Sequence, residues 1–289
     1  MASLVKDLSE FLERVSDAAL VQVTSAKGST PREAGTWMLV ARDAIFGTIG
    51  GGQLEYMAID KARELLALDG EAVMLDVPLG PEIGQCCGGR VGLSVSRMDA
   101  TMREELQAQL AREDAALPHI YVFGGGHVGR ALAAALSLLP VKTIVVETRA
   151  EEIKGLPKTI ETRLTPMPEE AVRDAPAGSA FLVLTHDHAL DFLIVAEALK
   201  RTDAAYVGMI GSKTKKATFR SWYLRTAGGT EAAFSQLVSP IGGDSVKDKR
   251  PAVIAALAAA EVMTALSLSP AADAIPGTRD SYPVTASKR

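Results

Sequence analysis

Six residues in the middle of the chain, Gly124-Gly125-Gly126-His127-Val128-Gly129, limit its fold more than any other stretch. Read as G-x-G-x-x-G, the run places Gly124, Gly126 and Gly129 where a tight strand-to-helix turn needs bare backbone. Such a turn aims the first amides of a helix at a phosphate or pyrophosphate. The flanks agree with this reading. Residues 120–123 (Ile-Tyr-Val-Phe) read as a buried parallel strand and residues 131–139 as the following helix. Residues 143–147 then read as a second strand ending in the acid Glu147, 18 residues past Gly129. That context favours a dinucleotide-binding half-fold over a glycine turn kept only for close helix–strand packing.

The bulk properties set the class. A chain of 289 residues suffices for two ordinary domains, each with its own core. With 47% hydrophobic residues and a net charge of −4, it reads as a soluble globular protein without the basic face that general nucleic-acid binding needs. The N-terminus carries charges every few residues and has no apolar signal core. The longest apolar run, residues 251–266, is interrupted by Glu261 and reads as a buried helix too short to span a membrane, so no membrane partner is expected. The two cysteines, Cys86 and Cys87, are adjacent, which excludes a disulfide scaffold and suits a reducing cytoplasm.

The pattern predicts an α/β protein: an N-terminal mixed α+β domain over residues 1–113, a linker over 114–118, a Rossmann-like doubly wound parallel-sheet domain over 119–270, and a tail over 271–289. In the first part, Leu4, Leu8, Phe11, Leu12 and Val15 recur at helical spacing, so residues 4–16 form an amphipathic helix. Strands are expected at 20–24, 36–41, 45–49, 73–77 and 91–95. A helix follows Gly50-Gly51-Gly52, and a charged helix is expected over 101–113. From His119 onward strands and helices alternate, with strands at 180–185 and 205–209 and helices at 189–200 and 213–225. Right-handed parallel crossovers follow from that alternation.

Four further groups carry candidate chemistry. Gly50, Gly51 and Gly52 open a helix where amides can crowd around an anion, or else form a plain loop of positive φ. In Gly84-Gln85-Cys86-Cys87-Gly88-Gly89 the flanking glycines keep a thiol accessible as a nucleophile, soft metal ligand or sulfur carrier; two small buried residues are the alternative. Thr185-His186-Asp187-His188, with Asp191 behind it, follows a strand at the ligand-binding end of an open sheet. His186 and His188 there could bond a ligand, or hold a metal if His127 folds over as a third donor; Asp187 or Asp191 could instead cap the next helix. Last, Gly211, Ser212 and Lys213 form another strand–glycine–helix junction, with Lys215, Lys216 and Arg220 close behind. Cations near a helix N-terminus call for an anion, unless they are simply a solvated face. No Ser/His/Asp or paired-carboxylate arrangement stands at recognisable spacing, so no catalytic residues are assigned.

Taken together, these motifs resemble those of the xanthine dehydrogenase accessory proteins of the XdhC type. Gly28-Ser29-Thr30-Pro31-Arg32, Gly47-Thr48-Ile49-Gly50-Gly51-Gly52 and Gln85-Cys86-Cys87-Gly88-Gly89 are similar to the family's N-terminal signatures. The run at 123–129, Thr185-His186-Asp187-His188-Ala189-Leu190-Asp191 and Gly208-Met209-Ile210-Gly211-Ser212-Lys213 are similar to its C-terminal ones, as are Ser239-Pro240-Ile241-Gly242 and residues 251–255. The likeness covers residues 20–265 in the family's order. It implies a cytoplasmic, commonly dimeric chaperone with no turnover of its own. Such a protein binds the molybdenum cofactor (molybdopterin) and protects it from oxidation. It supports exchange of an oxo for a sulfido ligand by a cysteine desulfurase and delivers the product to the molybdenum subunit of apo xanthine dehydrogenase.

The resemblance assigns roles. Gly50, Gly51 and Gly52, or the loop of Gly124, Gly126 and Gly129, would take the cofactor phosphate. Cys87 would lie near the molybdenum or its incoming sulfur, with Cys86 as substitute, and Glu55 would reach a pterin nitrogen. His127, His186, His188, Gly211, Ser212 and Lys213 would line the second pocket. The family often has Asp where this chain has Glu147-Thr148-Arg149. Glu147 could bind ribose hydroxyls and Arg149 could favour a 2′-phosphate, which keeps open an NAD(P)-dependent oxidoreductase using that pocket. After Ser239-Pro240-Ile241-Gly242 the usual apolar continuation is replaced by Gly243-Asp244-Ser245-Val246-Lys247-Asp248.

Overall fold

The computed structural model describes residues 4–68, 70–80 and 88–269, which fall into two compact units, 4–115 and 116–269. The first is built from α1 (Leu4–Arg14), β1 (Ala19–Lys27), β2 (Trp37–Val40), β3 (Ile45–Gly47), α2 (Gly52–Leu68), β4 (Val73–Pro78), β5 (Arg90–Arg97) and α3 (Ala100–Ala115). Its five strands form an antiparallel sheet in the order β3-β2-β1-β5-β4. Side chains alternate across a strand, so each face carries its own core. Val21, Val23, Met38, Val40, Leu93 and Val95 pack under Leu54, Ala58 and Ala62 of α2. Leu39 on the opposite face meets Leu8 and Leu12 of α1 and Leu106 and Leu110 of α3.

The second unit runs β6 (His119–Phe123), α4 (His127–Leu136), β7 (Lys142–Glu147), α5 (Ala150–Ile153), β8 (Glu161–Leu164), α6 (Glu169–Arg173), β9 (Ala180–Val183), α7 (His188–Ala198), β10 (Tyr206–Met209), α8 (Lys213–Arg225), α9 (Glu231–Phe234), β11 (Leu237–Val238) and α10 (Pro251–Leu268). Its six strands are all parallel, in the order β11-β10-β9-β6-β7-β8. This is the doubly wound, Rossmann-like arrangement, with the order of strand addition reversing between β6 and β9. Ile120 and Val122 pack toward α4 and α10, whereas Tyr121 and Phe123 pack toward α7 and α8.

Several boundaries differ from the sequence reading. Helix α4 starts four residues before the expected 131, because its first turn is part of the glycine motif itself. Helix α3 continues through Ala115, into the expected linker. Helix α10 extends to Leu268, and its 18 residues are long and apolar enough by composition alone to cross a membrane. Its residues Ala255, Ala258, Ala259, Val262 and Leu266 are instead buried in the core of the second unit. Glu261, the charge that interrupts it, accepts hydrogen bonds from the Tyr206 hydroxyl at 2.7 Å and the Gly242 amide at 2.8 Å.

Candidate functional site

In the first unit the three N-terminal motifs meet. A β-carbon on Gly50 would lie 2.7 Å from Pro31 Cβ, so the glycine run packs directly on the 28–32 loop. A β-carbon on Gly89 would lie 2.2 Å from the Ser29 carbonyl oxygen and 2.8 Å from that of Lys27. The Gly88 amide donates to the Leu79 carbonyl, and the Leu79 amide donates to the Gly89 carbonyl, both at 2.8 Å. These contacts fix Gly88-Gly89 against Gly28-Ser29. Cys86 and Cys87, two and one residues before Gly88, lie outside the described residues.

Gly50, Gly51 and Gly52 take φ of 122°, 77° and 68°, a left-handed run that a side chain would strain. The resulting nest of amides already holds an anion, the carboxylate of Glu55. Its Oε2 accepts from the Thr48 hydroxyl and from the amides of Ile49 and Gly51, the latter two at 3.0 Å. Burial pushes the Glu55 carboxyl up, but the hydrogen bonds from Thr48, Gly51, Ile49 and Gly50 outweigh it and hold the pKa below the ordinary 4.5. The expected seat for a phosphate is therefore filled by the chain itself, and the carboxylate expected on a pterin nitrogen is turned back onto its own loop.

Because the folded value is depressed, Glu55 contributes stability above about pH 4.5 that is lost as pH falls through the folded value. Glu55→Gln should lower the stability of the first unit by about 1 kcal/mol at pH 6, allowing for the loop's exposure, and by progressively less at an acid pH below the folded value. Urea unfolding followed by Trp37 fluorescence in a Trp222→Phe background measures this; an equal loss at both pH values would refute it.

In the second unit the C-terminal motifs line the carboxyl ends of the parallel strands, where open α/β sheets bind ligands. The glycines divide the work of the turn. A β-carbon on Gly129 would sit 1.9 Å from the Gly124 carbonyl oxygen, which is how α4 comes so close to the end of β6. Gly124 has φ of 112°, and its missing side chain leaves room for the Leu184 carbonyl, 2.6 Å from where a β-carbon would be. Nothing lies within 4 Å of a β-carbon at Gly126, so the backbone is open there. Gly126 caps α4 without a side-chain hydrogen bond.

Glu147 is only 4% exposed, and both its oxygens are engaged. Oε2 accepts from the Gly125 amide at 2.8 Å, while Oε1 accepts from the amides of Thr148 and Arg149 at 2.7 and 3.1 Å. The Arg149 guanidinium closes over both oxygens. Burial raises this carboxyl, and the donors from Gly125, Arg149 and Thr148 more than offset it, so its pKa falls below the usual value. The acid expected on a ribose thus ties the glycine loop to β7.

Asp187 is the α7 cap, accepting from the Ala189 and Leu190 amides. Ser212 caps α8 by accepting from the Lys215 amide at 3.2 Å. His127, His186 and His188 are exposed, and the three-histidine metal arrangement does not form: no group of three or more His, Cys, Asp or Glu able to hold a metal occurs among the described residues. His127 and His188 each open a separate helix. The cations of α8 find internal partners. Lys215 pairs with the fully buried Asp191, which also accepts from the Thr185 amide and hydroxyl. Gly211 makes this possible, since a β-carbon there would lie 2.6 Å from Lys215 Cδ. Arg220 pairs with Glu231, and Lys216 donates to the Leu237 carbonyl. Lys213 remains exposed, with no ion pair among the described residues.

The sequence pattern calls for an anion opposite those cations without singling out Asp191, which supplies it for Lys215. The signal was present: an acid in the first turn of α7 and a lysine in the first turn of α8 follow neighbouring parallel strands.

Residues 120–262 match the family model described as the XdhC Rossmann domain, and residues 11–77 match that of the XdhC and CoxI family. The chain belongs to the XdhC family. Its Rossmann-domain match contains the crevice between β6 and β9, and its XdhC and CoxI match contains the Gly28 and Gly50 loops. Among relatives of this XdhC protein is the uncharacterized protein YqeB of Escherichia coli K12, 25% identical over 264 residues. That alignment takes in 87% of the present chain and spans 44% of the relative's length. Among solved structures, one from Bacillus halodurans, described as a xanthine dehydrogenase, superposes with a TM-score of 0.76. The match covers 94% of this chain and 99% of that one at 17% identity, a likeness of fold.

Proposed function

We infer that this protein is an accessory factor in xanthine dehydrogenase maturation. It holds the molybdopterin cofactor, supports its sulfuration by a cysteine desulfurase and passes it to the molybdenum subunit of the apo enzyme, acting as a cytoplasmic homodimer without turnover of its own. The observation that carries this reading is the convergence of the Gly28, Gly50 and Gly88-Gly89 loops in the first unit of an XdhC-family chain. That packing sets Gly88-Gly89, which directly follow Cys87 in sequence, against Gly28-Ser29, and Cys87 is proposed to present its thiol to a bound ligand. The cofactor, when bound, would supply a molybdenum–dithiolene centre able to carry a sulfido ligand. In the proposed division of labour, Cys87 would hold the molybdenum end of the cofactor.

Equilibrium ultrafiltration of purified protein with molybdopterin, with the pterin quantified, tests the reading. Wild type is expected to bind one cofactor per chain, Cys87→Ala about tenfold more weakly, and Cys86→Ala nearly as well as wild type. No binding by wild type would refute the chaperone reading. Unchanged binding and unchanged delivery by Cys87→Ala would remove the thiol's role.

A second reading, a nicotinamide-dependent oxidoreductase, is favoured by the open backbone at Gly126 beside the sheet's switch point. Against it stands Glu147, whose oxygens are engaged by Gly125, Thr148 and Arg149. Fluorescence titration with NADH and NADPH separates the two: saturable binding with hydride transfer would favour the oxidoreductase.

A further inference from the structure

With the glycine nest filled by Glu55, the phosphate of a cofactor in the first unit needs another seat. A cavity of about 260 Å³ lies against the ends of β1, β4 and β5, lined by Thr24, Ser25, Lys27, Asp76, Arg90 and Gly92 among others. Three features of the backbone build it. The β1–β5 pairing slips between Val23 and Ser25, a bulge that re-aims side chains at this point of the strand. Opposite the bulge stands Gly92, where a β-carbon would lie 2.6 Å from Ser25 Oγ and 3.0 Å from Thr24 Oγ1. Both hydroxyls therefore occupy the space a side chain at 92 would take. Neither has a hydrogen-bond partner among the described residues.

The charges complete the set. Asp76 is held by the Arg90 guanidinium through two hydrogen bonds, at 2.6 and 2.7 Å, so that carboxylate is neutralised. Lys27 is exposed and has no ion pair among the described residues, leaving one net positive charge over two free hydroxyls. Two hydroxyl donors beside an ammonium suit a tetrahedral oxyanion. The cavity also adjoins the touching loops, since Lys27 precedes Gly28 and Arg90 follows Gly89.

We propose that Thr24, Ser25 and Lys27 form an oxyanion site that seats a phosphate monoester next to Gly28 and Gly89. The inference rests on the chaperone reading for its source of phosphate, the tail of the pterin cofactor; free inorganic phosphate is the other source of the same chemistry. In this arrangement the Ser25 and Thr24 hydroxyls donate to phosphate oxygens and Lys27 supplies the charge. Glu55 has no part in it.

Two measurements on the full chain test the site. Titration of inorganic phosphate, followed by amide NMR, is expected to shift Thr24, Ser25, Lys27 and Gly92 in wild type. Those shifts should vanish in Lys27→Met and Ser25→Ala, and persist in Glu55→Gln. Molybdopterin retention by ultrafiltration should drop about tenfold in Lys27→Met and in Ser25→Ala. Millimolar phosphate should displace the cofactor. Phosphate shifts at these residues without any molybdopterin binding would support the site while sinking the chaperone reading. Cofactor binding indifferent to both substitutions, with no phosphate shifts at these residues, would overturn the site and leave the chaperone reading standing.

Discussion

Asp191→Ala is expected to destabilise the second unit by about 3–5 kcal/mol, because it leaves the Lys215 ammonium buried without its counter-charge. Asp191 is wholly inaccessible and the Lys215 side chain is 9% exposed. The same carboxylate also accepts from Thr185, so the substitution frees the loop that carries His186 and His188. Lys215→Met added to Asp191→Ala should restore a large part of the loss, since a flexible apolar chain of similar length then fills the space. Trp222 packs on Phe192 and Phe219 within the second unit, so its fluorescence in a Trp37→Phe background reports this transition. A loss below about 1 kcal/mol would mean that the ammonium escapes to water on its own, and would refute the brace.

Gly129→Ala should be nearly as damaging, with a cost of about 3 kcal/mol or more. The new methyl would meet the Gly124 carbonyl oxygen at 1.9 Å, and that neighbour is backbone with nowhere to rotate. Helix α4 would have to move off β6. Gly126→Ala makes the control: its surroundings are empty and its φ is −65°, so stability should stay within about 0.5 kcal/mol of wild type. Urea midpoints of the two variants, read through Trp222, separate packing from ligand approach within one motif. Equal losses would show that the glycines are interchangeable and that this division of roles is wrong.

Much of the fold was legible because its long elements repeat a simple pattern. The buried strands β6, β7, β9 and β10 announce themselves as apolar runs followed by turn glycines or helices. Strand β8 does not: Glu161, Thr162, Arg163 and Leu164 alternate at the sheet's edge, with Glu161 and Arg163 paired to each other. The two-residue β11 and the short α5, α6 and α9 are too brief for any periodicity to register.

The candidate sites were legible as glycines and opaque as electrostatics. Gly124, Gly126 and Gly129 follow from the motif alone; in the structure Gly124 and Gly129 each have a distinct steric reason, while Gly126 leaves open backbone. That Glu55 and Glu147 would turn inward depends on hydrogen bonds formed only once loops close, which spacing does not encode. Likewise the bare position at Gly92 acquires meaning only beside a register slip in β1, and a slip is a property of paired strands.

The order of the strands has a consequence for synthesis. In the first sheet β5 inserts between β1 and β4, so that sheet is complete once residue 97 has left the ribosome. The second cannot join its two halves until β9 is available to pair with β6, as Ile120 with Ala180. At about 5–20 residues per second, the interval between those events is on the order of 4–17 s, ample time for a small unit to fold. The Gly28, Gly50 and Gly88-Gly89 loops would then be assembled while the rest of the chain is still nascent, before the Rossmann-like sheet exists to compete for a ligand.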